Sequence, residues 1–210
     1  MDTPDKAKKE FISYETVRNN SLKLAYRIYS SGFIPDVIYV SLRGGAYMGN
    51  VMSEFFKVVR KNATPLLYAA VVARTFIDTD KKQHVIVDGW TYNPEYLHYG
   101  DKLLIVDDIF DSGKTINHLV DIIIEHGIPR EDLRIAVHDY KVRHFAKEYL
   151  PIRPDFYCRY HNIKTPHDDV WIHYMSHELE GLSYLDFKEY FDMDDPELAS
   201  AFRIIEENRK

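Results

Sequence analysis

One short segment of the chain has residue types spaced for chemistry on a phosphorylated substrate. This segment is LLIVDDIFDSGKT, residues 103–115, an apolar run followed by a polar loop. The loop is predicted to open a helix, where backbone N–H groups and the helix dipole bind phosphate. Gly113 lets the backbone approach a ligand closely, and the hydroxyls of Ser112 and Thr115 can donate to phosphate oxygens.

Three carboxylates adjoin this predicted phosphate site: Asp107, Asp108 and Asp111. They would repel a triphosphate, but they suit ribose hydroxyls, a metal ion or a base nitrogen. A helix cap would explain one acid and not all three. Residues 113–115 match the end of a Walker A loop, yet the full pattern needs glycine five residues before Gly113, where this chain has Asp108. A nucleoside triphosphatase is therefore disfavoured.

This segment resembles the phosphoribosyl pyrophosphate (PRPP) signature of type I phosphoribosyltransferases, two acids followed by a D-[ST]-G-x-T loop. The resemblance implies that Asp107 and Asp108 hold the ribose 2′- and 3′-hydroxyls. It implies that the 5′-phosphate is bound by Ser112, Gly113, Lys114 and Thr115. Adenine and orotate enzymes of this fold usually carry Ala or Thr at position 111, whereas 6-oxopurine enzymes carry Asp. The resemblance thus places Asp111 near the purine N7 as a catalytic acid/base and points to the hypoxanthine, xanthine and guanine enzymes.

Two further parts of the resemblance concern the pyrophosphate and the base. The run Ser41–Gly45 resembles the family's pyrophosphate loop, which implies that Arg43, Gly44 and Gly45 bind the diphosphate; without the resemblance it is a plain strand-to-helix turn. Lys141 follows a predicted strand where 6-oxopurine enzymes place the lysine that bonds the exocyclic O6. Without the resemblance, Lys141 would be interpreted as a surface residue.

The resemblance extends to a strand near residue 171. It implies that Trp171 stacks on the purine, that the Ile172 backbone reads the base edge, and that Glu178 approaches Mg²⁺ on the pyrophosphate. The chain also departs from the family. Residues 174–178 read Tyr-Met-Ser-His-Glu where purine salvage relatives often have a Pro-Trp-acid end. Residues 75–76 are Thr-Phe where many relatives begin the catalytic lid with Ser-Tyr.

The surrounding pattern predicts an α/β fold, a mostly parallel twisted sheet flanked by helices. Apolar residues recur at helical spacing over 14–31, and the runs 36–42 and 102–108 are typical of strands buried on both faces. Each run is followed by a glycine turn and a helix. Further strands are predicted at 65–73, 84–90, 132–140 and 170–174. In such folds ligands bind at the carboxyl ends of the strands.

We expect one domain over residues 1–210, with the type I phosphoribosyltransferase fold that the resemblance implies. Its parts are a core sheet with the PRPP site (12–150), a small base-binding hood (151–180) and an extension of acidic helices (181–210). Segment 76–100 is polar at both ends and carries one short strand. It fits a mobile lid or an ordinary β-hairpin equally well.

Composition excludes several classes of protein. The net charge of −6 and the lack of a basic run argue against a nucleic-acid-binding protein. The sequence has no apolar run approaching the ~20 residues of a membrane helix and no signal peptide, so we expect a cytoplasmic location and no membrane partner. Cys158 is the only cysteine and is interpreted as a buried thiol. The ten histidines fit no closed zinc pattern.

Together these features predict a Mg²⁺-dependent purine salvage enzyme that transfers the phosphoribosyl group of PRPP to a 6-oxopurine base. The family resemblance implies a homodimer or homotetramer. Three alternatives remain: a non-catalytic regulator that senses PRPP or a nucleotide, a transferase for another base, and a Walker-type hydrolase.

Overall fold

A computed structural model of the chain describes residues 8–61, 64–77, 83–146, 150–174, 179 and 182–208. The chain forms two compact units, Met1–Ser176 and His177–Lys210. The predicted domain and hood boundaries stay predictions.

The first unit contains most of the helices and strands. In chain order these are β1 (Lys9–Ile12), α1 (Tyr14–Ser30), β2 (Val37–Leu42), α2 (Gly45–Val59), β3 (Leu67–Ile77), β4 (Gln83–Trp90), β5 (Leu103–Phe110), α3 (Lys114–Glu125), β6 (Leu133–Arg143), β7 (Phe156–Ile163) and β8 (Trp171–Tyr174). Short 3₁₀ turns lie at Pro94–Tyr96, Arg130–Asp132 and Pro166–Asp168.

Six of these strands form the main sheet in the order β4-β3-β2-β5-β6-β7. All neighbours are parallel except β3 and β4, which are antiparallel. The predicted mostly parallel α/β sheet is confirmed. Because β5 lies between β2 and β6, both faces of its first half are buried, which explains the continuous apolar run that precedes Asp107.

Helices cover both faces of the sheet and form two apolar cores. On one face α1 and α2 bury Leu24, Ile28, Met48 and other residues against the strands. On the other face α3 buries residues such as Leu119. Each fully buried aliphatic side chain of this kind stabilises the fold by about 1.5–3 kcal/mol. Among the described helices none is both long enough and apolar enough to cross a bilayer.

Two features differ from the sequence predictions. Strand β3 continues to Ile77, and its last residues pair with the start of β4, so the first part of segment 76–100 is one arm of an antiparallel pair. Lid movement of this segment stays a prediction. Strand β1 was not predicted, because it has four residues of which only Ile12 is buried. It pairs in parallel with β8 to form a separate two-stranded sheet.

Side chains along a strand normally alternate between the two faces of the sheet. In β5 and β6 this alternation is interrupted at the same level. Val106 and Ile109, three residues apart, pack in the same core, although strict alternation would put them on opposite faces. In β6, Val137 and Tyr140 likewise share the opposite core. The two residues between each pair are Asp107 and Asp108 in β5 and His138 and Asp139 in β6. The polar side chains of both strands thus lie where the apolar alternation is interrupted.

A fully buried carboxylate, that of Asp139, lies at this level. It accepts hydrogen bonds from His138 Nδ1 (2.6 Å), His161 Nε2 (2.5 Å) and the Tyr174 hydroxyl (2.6 Å). The guanidinium of Arg159 lies 3.4 Å away. Burial alone would raise the pKa of Asp139, but these donors outweigh it and lower the pKa far below its usual range. The carboxylate therefore connects β6, β7 and β8 as an anion.

The second unit consists of two short helices, α4 (Tyr184–Tyr190) and α5 (Pro196–Glu207). Ser183 caps α4 with a capping box, and Asp195 caps α5. Phe187 stacks on Phe202 with ring centroids 4.1 Å apart, so aromatic packing joins the two helices.

The lowered pKa of Asp139 predicts acid-sensitive stability. The native state holds fewer protons than the unfolded chain, whose Asp pKa is about 3.9, so this stabilisation is full above that pH and is lost as pH falls through it. We expect Asp139→Asn to lower the free energy of unfolding at pH 7 by about 3 kcal/mol. The variant should also flatten the decline of that free energy between about pH 5 and about pH 2. Urea unfolding at several pH values measures both effects.

The matched control is Asp121→Asn, because Asp121 is exposed on α3; it should leave the pH dependence unchanged. If Asp139→Asn does not fold, Tyr174→Phe is measured in its place. Tyr174→Phe removes one of the donors, so the free energy of unfolding at pH 7 and its pH dependence should change in the same direction but by less. An unaltered pH dependence in Tyr174→Phe and Asp139→Asn would contradict the role of this carboxylate.

Candidate active site

The site lies at the carboxyl ends of β2, β5 and β6. In β5, Asp107 Oδ1 accepts a hydrogen bond from the Asp108 N–H (3.0 Å), and Asp108 Oδ1 accepts one from the Ile109 N–H (2.8 Å). These side chains therefore bond the backbone where the strand alternation changes. Burial, followed by the charge of Asp108, raises the pKa of Asp107 well above its usual range. A protonated Asp107 can donate to a ribose oxygen as well as accept from a hydroxyl.

The loop after β5 forms an anion site at the start of α3. Gly113 has a φ of 79°, in the left-handed region that favours glycine, and a Cβ there would overlap the ring of Phe110. Gly113 is the N-cap residue and has no side chain to cap the helix, and Ser112 Oγ accepts only a long hydrogen bond from the Lys114 N–H (3.4 Å). Its first-turn N–H groups therefore face a site suited to phosphate, near the hydroxyls of Ser112 and Thr115.

The loop after β2 packs directly on the acids of β5. A Cβ on Gly44 would overlap the Asp108 carboxylate, and one on Gly45 would overlap the Val106 carbonyl. The peptide bond between Leu42 and Arg43 is cis. Because α2 begins at Gly45 without a side-chain cap, the structure brings a second helix N-terminus next to the acid pair.

Four charged side chains meet beside the phosphate loop. Lys141 Nζ donates to Asp169 Oδ1 and to the Val170 carbonyl, both at 2.7 Å, and lies 3.7 Å from Asp111 Oδ1. Arg143 Nε donates to Asp169 Oδ2, and Arg143 Nη2 donates to Asp111 Oδ1, both at 2.5 Å. We call Asp111, Lys141, Arg143 and Asp169 the charge quartet.

The quartet is electrically balanced and mostly buried. For Asp169, burial would raise the pKa, but the hydrogen bonds from Arg143 and Lys141 outweigh burial and lower it. For Arg143, burial would lower the pKa, but the bonds to Asp111 and Asp169 raise it. The side chain of Asp111 is the most accessible of the four, at 50% exposed, whereas that of Lys141 is 6% exposed. The structure thus buries Lys141, which the sequence alone would have assigned to the surface.

The predicted base-reading residues lie on β8, joined to Lys141 through the Val170 carbonyl. Trp171 is 58% exposed, and Ile172 is buried. Trp171 pairs with Lys9 of β1 and Ile172 with Glu10, so this edge of the site depends on a strand far away in sequence. The structure thus brings Lys141 and the start of β8 together.

A cavity of about 620 Å³ adjoins the phosphate loop and the quartet. The cationic side chains on its walls are Lys114, Lys141, Arg143 and Arg153, and the only carboxylate among its described lining residues is that of Asp111. A surplus of positive charge beside a helix N-terminus suits a phosphorylated ligand.

The remaining predicted residues include Glu178 and Cys158. Glu178 lies outside the described residues, so its predicted approach to Mg²⁺ stays a prediction. Within the described ranges, no group of three His, Cys, Asp or Glu side chains could hold a metal ion. Cys158 is half-buried rather than fully buried as predicted, and this burial raises the pKa of its thiol to about 11. Sequence reasoning missed Arg143 and Asp169.

A signal for both missed residues exists in the sequence. Arg143 follows Lys141 by two residues on a strand, the spacing that puts side chains on one face. Asp169 stands two residues before Trp171 in an acidic turn. Only the three-dimensional structure shows that these side chains bond each other.

The sequence and the fold were compared with known proteins. The sequence profile described as "Phosphoribosyl transferase domain" matches residues 13–144, more than half of the chain. No curated protein sequence matches the chain closely enough to count as a relative.

Among solved structures, a purine phosphoribosyltransferase from Pyrococcus horikoshii is similar at a TM-score of 0.62 and 17% identity, covering 84% of this chain and 99% of that one. A Neisseria gonorrhoeae hypothetical protein with bound ppGpp gives 0.60 and 17%, covering 84% and 93%. The Helicobacter pylori xanthine-guanine-hypoxanthine phosphoribosyltransferase gives 0.57 and 18%, covering 92% and 99%. At these identities the structures show a common fold.

The family match covers the glycine loop after β2, the acid pair, the phosphate loop after β5 and the strand that carries Lys141. The chain therefore belongs to the phosphoribosyl transferase domain family.

Proposed function

We propose that this protein is a purine salvage enzyme that transfers the 5-phosphoribosyl group of PRPP to a 6-oxopurine base, releasing a nucleoside monophosphate and pyrophosphate. The observation that carries the proposal is the 3.7 Å separation of Asp111 and Lys141 beside the phosphate loop. A 6-oxopurine presents an N7–H donor and a C6 carbonyl acceptor on one edge. A carboxylate and an ammonium group side by side complement that edge.

The same pair disfavours adenine. Its C6 amino group is a donor and would face the Lys141 ammonium, which can only donate. A site built to bond one pattern of donors and acceptors rejects the reverse pattern, because buried polar groups would be left unpaired. The names of the Pyrococcus and Helicobacter neighbours, a purine and a xanthine-guanine-hypoxanthine phosphoribosyltransferase, support this choice of base class.

PRPP would bind across the two glycine loops. Its 5′-phosphate would accept hydrogen bonds at the start of α3 from residues 112–115, and its pyrophosphate would meet residues 43–45 at the start of α2. Asp107 and Asp108, between the two loops, would bond the ribose hydroxyls. This assignment uses each anion-binding feature of the site once.

Mg²⁺ would arrive with PRPP. Mg²⁺ keeps several waters and is usually held by one or two carboxylates together with substrate phosphates, so the absence of a three-ligand cluster among the described residues fits this role. Asp107 and Asp108 are the described carboxylates next to the ribose and pyrophosphate, and Glu178 is a further candidate. The ion would supply positive charge for the leaving pyrophosphate.

The protein residues would mainly position the reactants and stabilise charge. The bond from C1′ to the pyrophosphate oxygen breaks with its electron pair on oxygen, and N9 of the base attacks C1′. The base then carries an excess proton at N7, which Asp111 accepts, while Lys141 bonds O6 and Trp171 stacks on the ring. We expect this reaction in the cytoplasm and in a homodimer or homotetramer.

The experiment that tests the proposal measures pyrophosphate release from Mg²⁺ and PRPP with hypoxanthine, guanine, xanthine, adenine and orotate supplied separately. We expect release with one or more 6-oxopurines and none with adenine or orotate, and chelation of Mg²⁺ should abolish it. Release with adenine or orotate alone would establish a transferase for another base. PRPP binding without release would favour a regulator, and hydrolysis of nucleoside triphosphates would favour the Walker-type alternative.

Asp111→Asn tests the acid/base assignment. We expect kcat to fall by about 10²–10⁴-fold, the usual contribution of one proton-transfer group, while KM for PRPP changes little. Asp121→Asn, an exposed change of the same chemistry, should leave both constants unchanged. Steady-state kinetics with hypoxanthine or guanine gives the answer, and an unchanged kcat in Asp111→Asn would remove the assignment.

Gly44→Ala tests the contact between the loop after β2 and the Asp108 carboxylate. The new methyl group would displace the Asp108 carboxylate, so we expect KM for PRPP to rise by about tenfold or more, a loss of ~1.4 kcal/mol of binding. Gly89→Ala is the matched control, because a Cβ there meets nothing within 4 Å. Equal PRPP affinity in both variants would contradict the placement of PRPP over this contact.

A further inference from the structure

Each of the three guanidinium nitrogens of Arg143 donates a hydrogen bond within the site. Nε donates to Asp169 Oδ2, Nη2 donates to Asp111 Oδ1, and Nη1 donates to the Asp111 carbonyl at 3.2 Å. The planar fork therefore joins the backbone and side chain of the phosphate loop to the turn before β8. These are the two segments that would contact the N7 and O6 side of a purine.

The arrangement leaves a defined part of Asp111 available to a ligand. Oδ1 is occupied by Arg143, whereas Oδ2 accepts no hydrogen bond from any residue that the structure describes. A carboxylate held through one oxygen cannot rotate freely, so the second oxygen keeps one orientation. For a purine N7–H this is a preset acceptor.

Asp169 holds the Lys141 ammonium in place and leaves one of its donors available. The Lys141 ammonium has three donors, of which two are bonded to Asp169 Oδ1 and the Val170 carbonyl. Its third donor has no hydrogen-bond partner within the described ranges. Because Arg143 and Lys141 bond different oxygens of Asp169, a shift of Arg143 would also move the lysine.

A direct role for Arg143 in phosphate binding is the competing interpretation, since Arg143 lines the cationic cavity. Its three donor nitrogens are nevertheless all committed to protein acceptors. Two N–H groups, one on Nη1 and one on Nη2, have no acceptor among the described residues and remain for a ligand, but Lys114 and the start of α3 already lie in the same cavity wall. The geometry favours an action through Asp111.

We propose that Arg143 is a positioning residue that orients Asp111 for the proton of the purine N7, with Asp169 as the anchor it shares with Lys141. This inference rests on the proposed function. It also assigns a role to a residue that lies outside the motifs shared with type I phosphoribosyltransferases.

A double-mutant cycle of Arg143→Ala and Asp111→Asn tests the proposal, since residues that act through each other give non-additive effects. Arg143→Ala alone should lower kcat by about 10- to 100-fold, matching a coupling of ~1.4–3 kcal/mol, with KM for PRPP within about threefold of wild type. In the Asp111→Asn background the same change should alter kcat by less than about twofold.

Two further variants separate positioning from a general structural effect. Arg143→Lys restores one charge but not the fork, so its kcat should lie between those of wild type and Arg143→Ala. Added guanidinium ion should partly restore kcat in Arg143→Ala and not in the double variant. Arg134→Ala, on the same strand and bonded only to backbone carbonyls through its side-chain hydrogen bonds, should leave kcat unchanged. Thermal unfolding checks the fold of each variant, and Arg143→Lys replaces Arg143→Ala in the cycle if the latter does not fold.

The outcomes are distinct. If the wild-type protein is active, the proposed function stands. Multiplicative losses in kcat, or a large rise in KM for PRPP in Arg143→Ala, would then overturn the positioning role alone. If the wild type releases no pyrophosphate with any base, the proposed function fails, and the cycle is then measured on calorimetric binding of hypoxanthine and guanine, whose N7–H tautomer can donate to Asp111. In that case a loss of affinity in Arg143→Ala that disappears in the Asp111→Asn background supports the role, and independent or absent losses overturn it.

Discussion

The contact of Gly44 with the Asp108 carboxylate constrains the whole site. Strands β2 and β5 are parallel neighbours, so their carboxyl ends emerge side by side, and the two loops that follow must share a small volume. A side chain at position 44 would occupy the space of that carboxylate. The missing Cβ allows two helix N-termini and an acid pair to converge on one ligand-sized region. Every function considered for this site depends on that convergence.

Electrostatic balance is the second theme of the structure. The loops after β2 and β5 offer backbone N–H groups, and burial raises the pKa of Asp107 between them. Close donors instead lower the pKa of Asp169 in the charge quartet and of the buried Asp139. Since an unpaired buried charge costs several kcal/mol, each of these carboxylates has its own set of partners. The acidic net charge of the chain is thus compatible with local sites for anions.

Asp139 also connects the sheet to β8. The Tyr174 hydroxyl lies 2.6 Å from Asp139 Oδ2 and 3.1 Å from the Asp108 carbonyl. The last residue of β8 therefore contacts the same strand end that carries Asp107 and Asp108. The interruption of the alternation makes this contact possible, because it turns Asp139 toward the core that contains Tyr174. The interrupted alternation in β5 and β6 thus brings the end of β5 and the end of β8 together.

The sequence alone determined the local features of this protein. The phosphate loop, the acid pair, the glycine turns and the buried strands depend on residues close together in the chain, whose conformation and apolar pattern are set locally. The tertiary structure decided the rest: the antiparallel β3 and β4 pair, the β1 and β8 sheet, the burial of Lys141 and the charge quartet. Asp111 and Arg143 are 32 residues apart, and Asp169 lies 26 residues beyond Arg143. Whether such side chains meet depends on strand order and register, because only these fix which distant residues share one edge of the sheet.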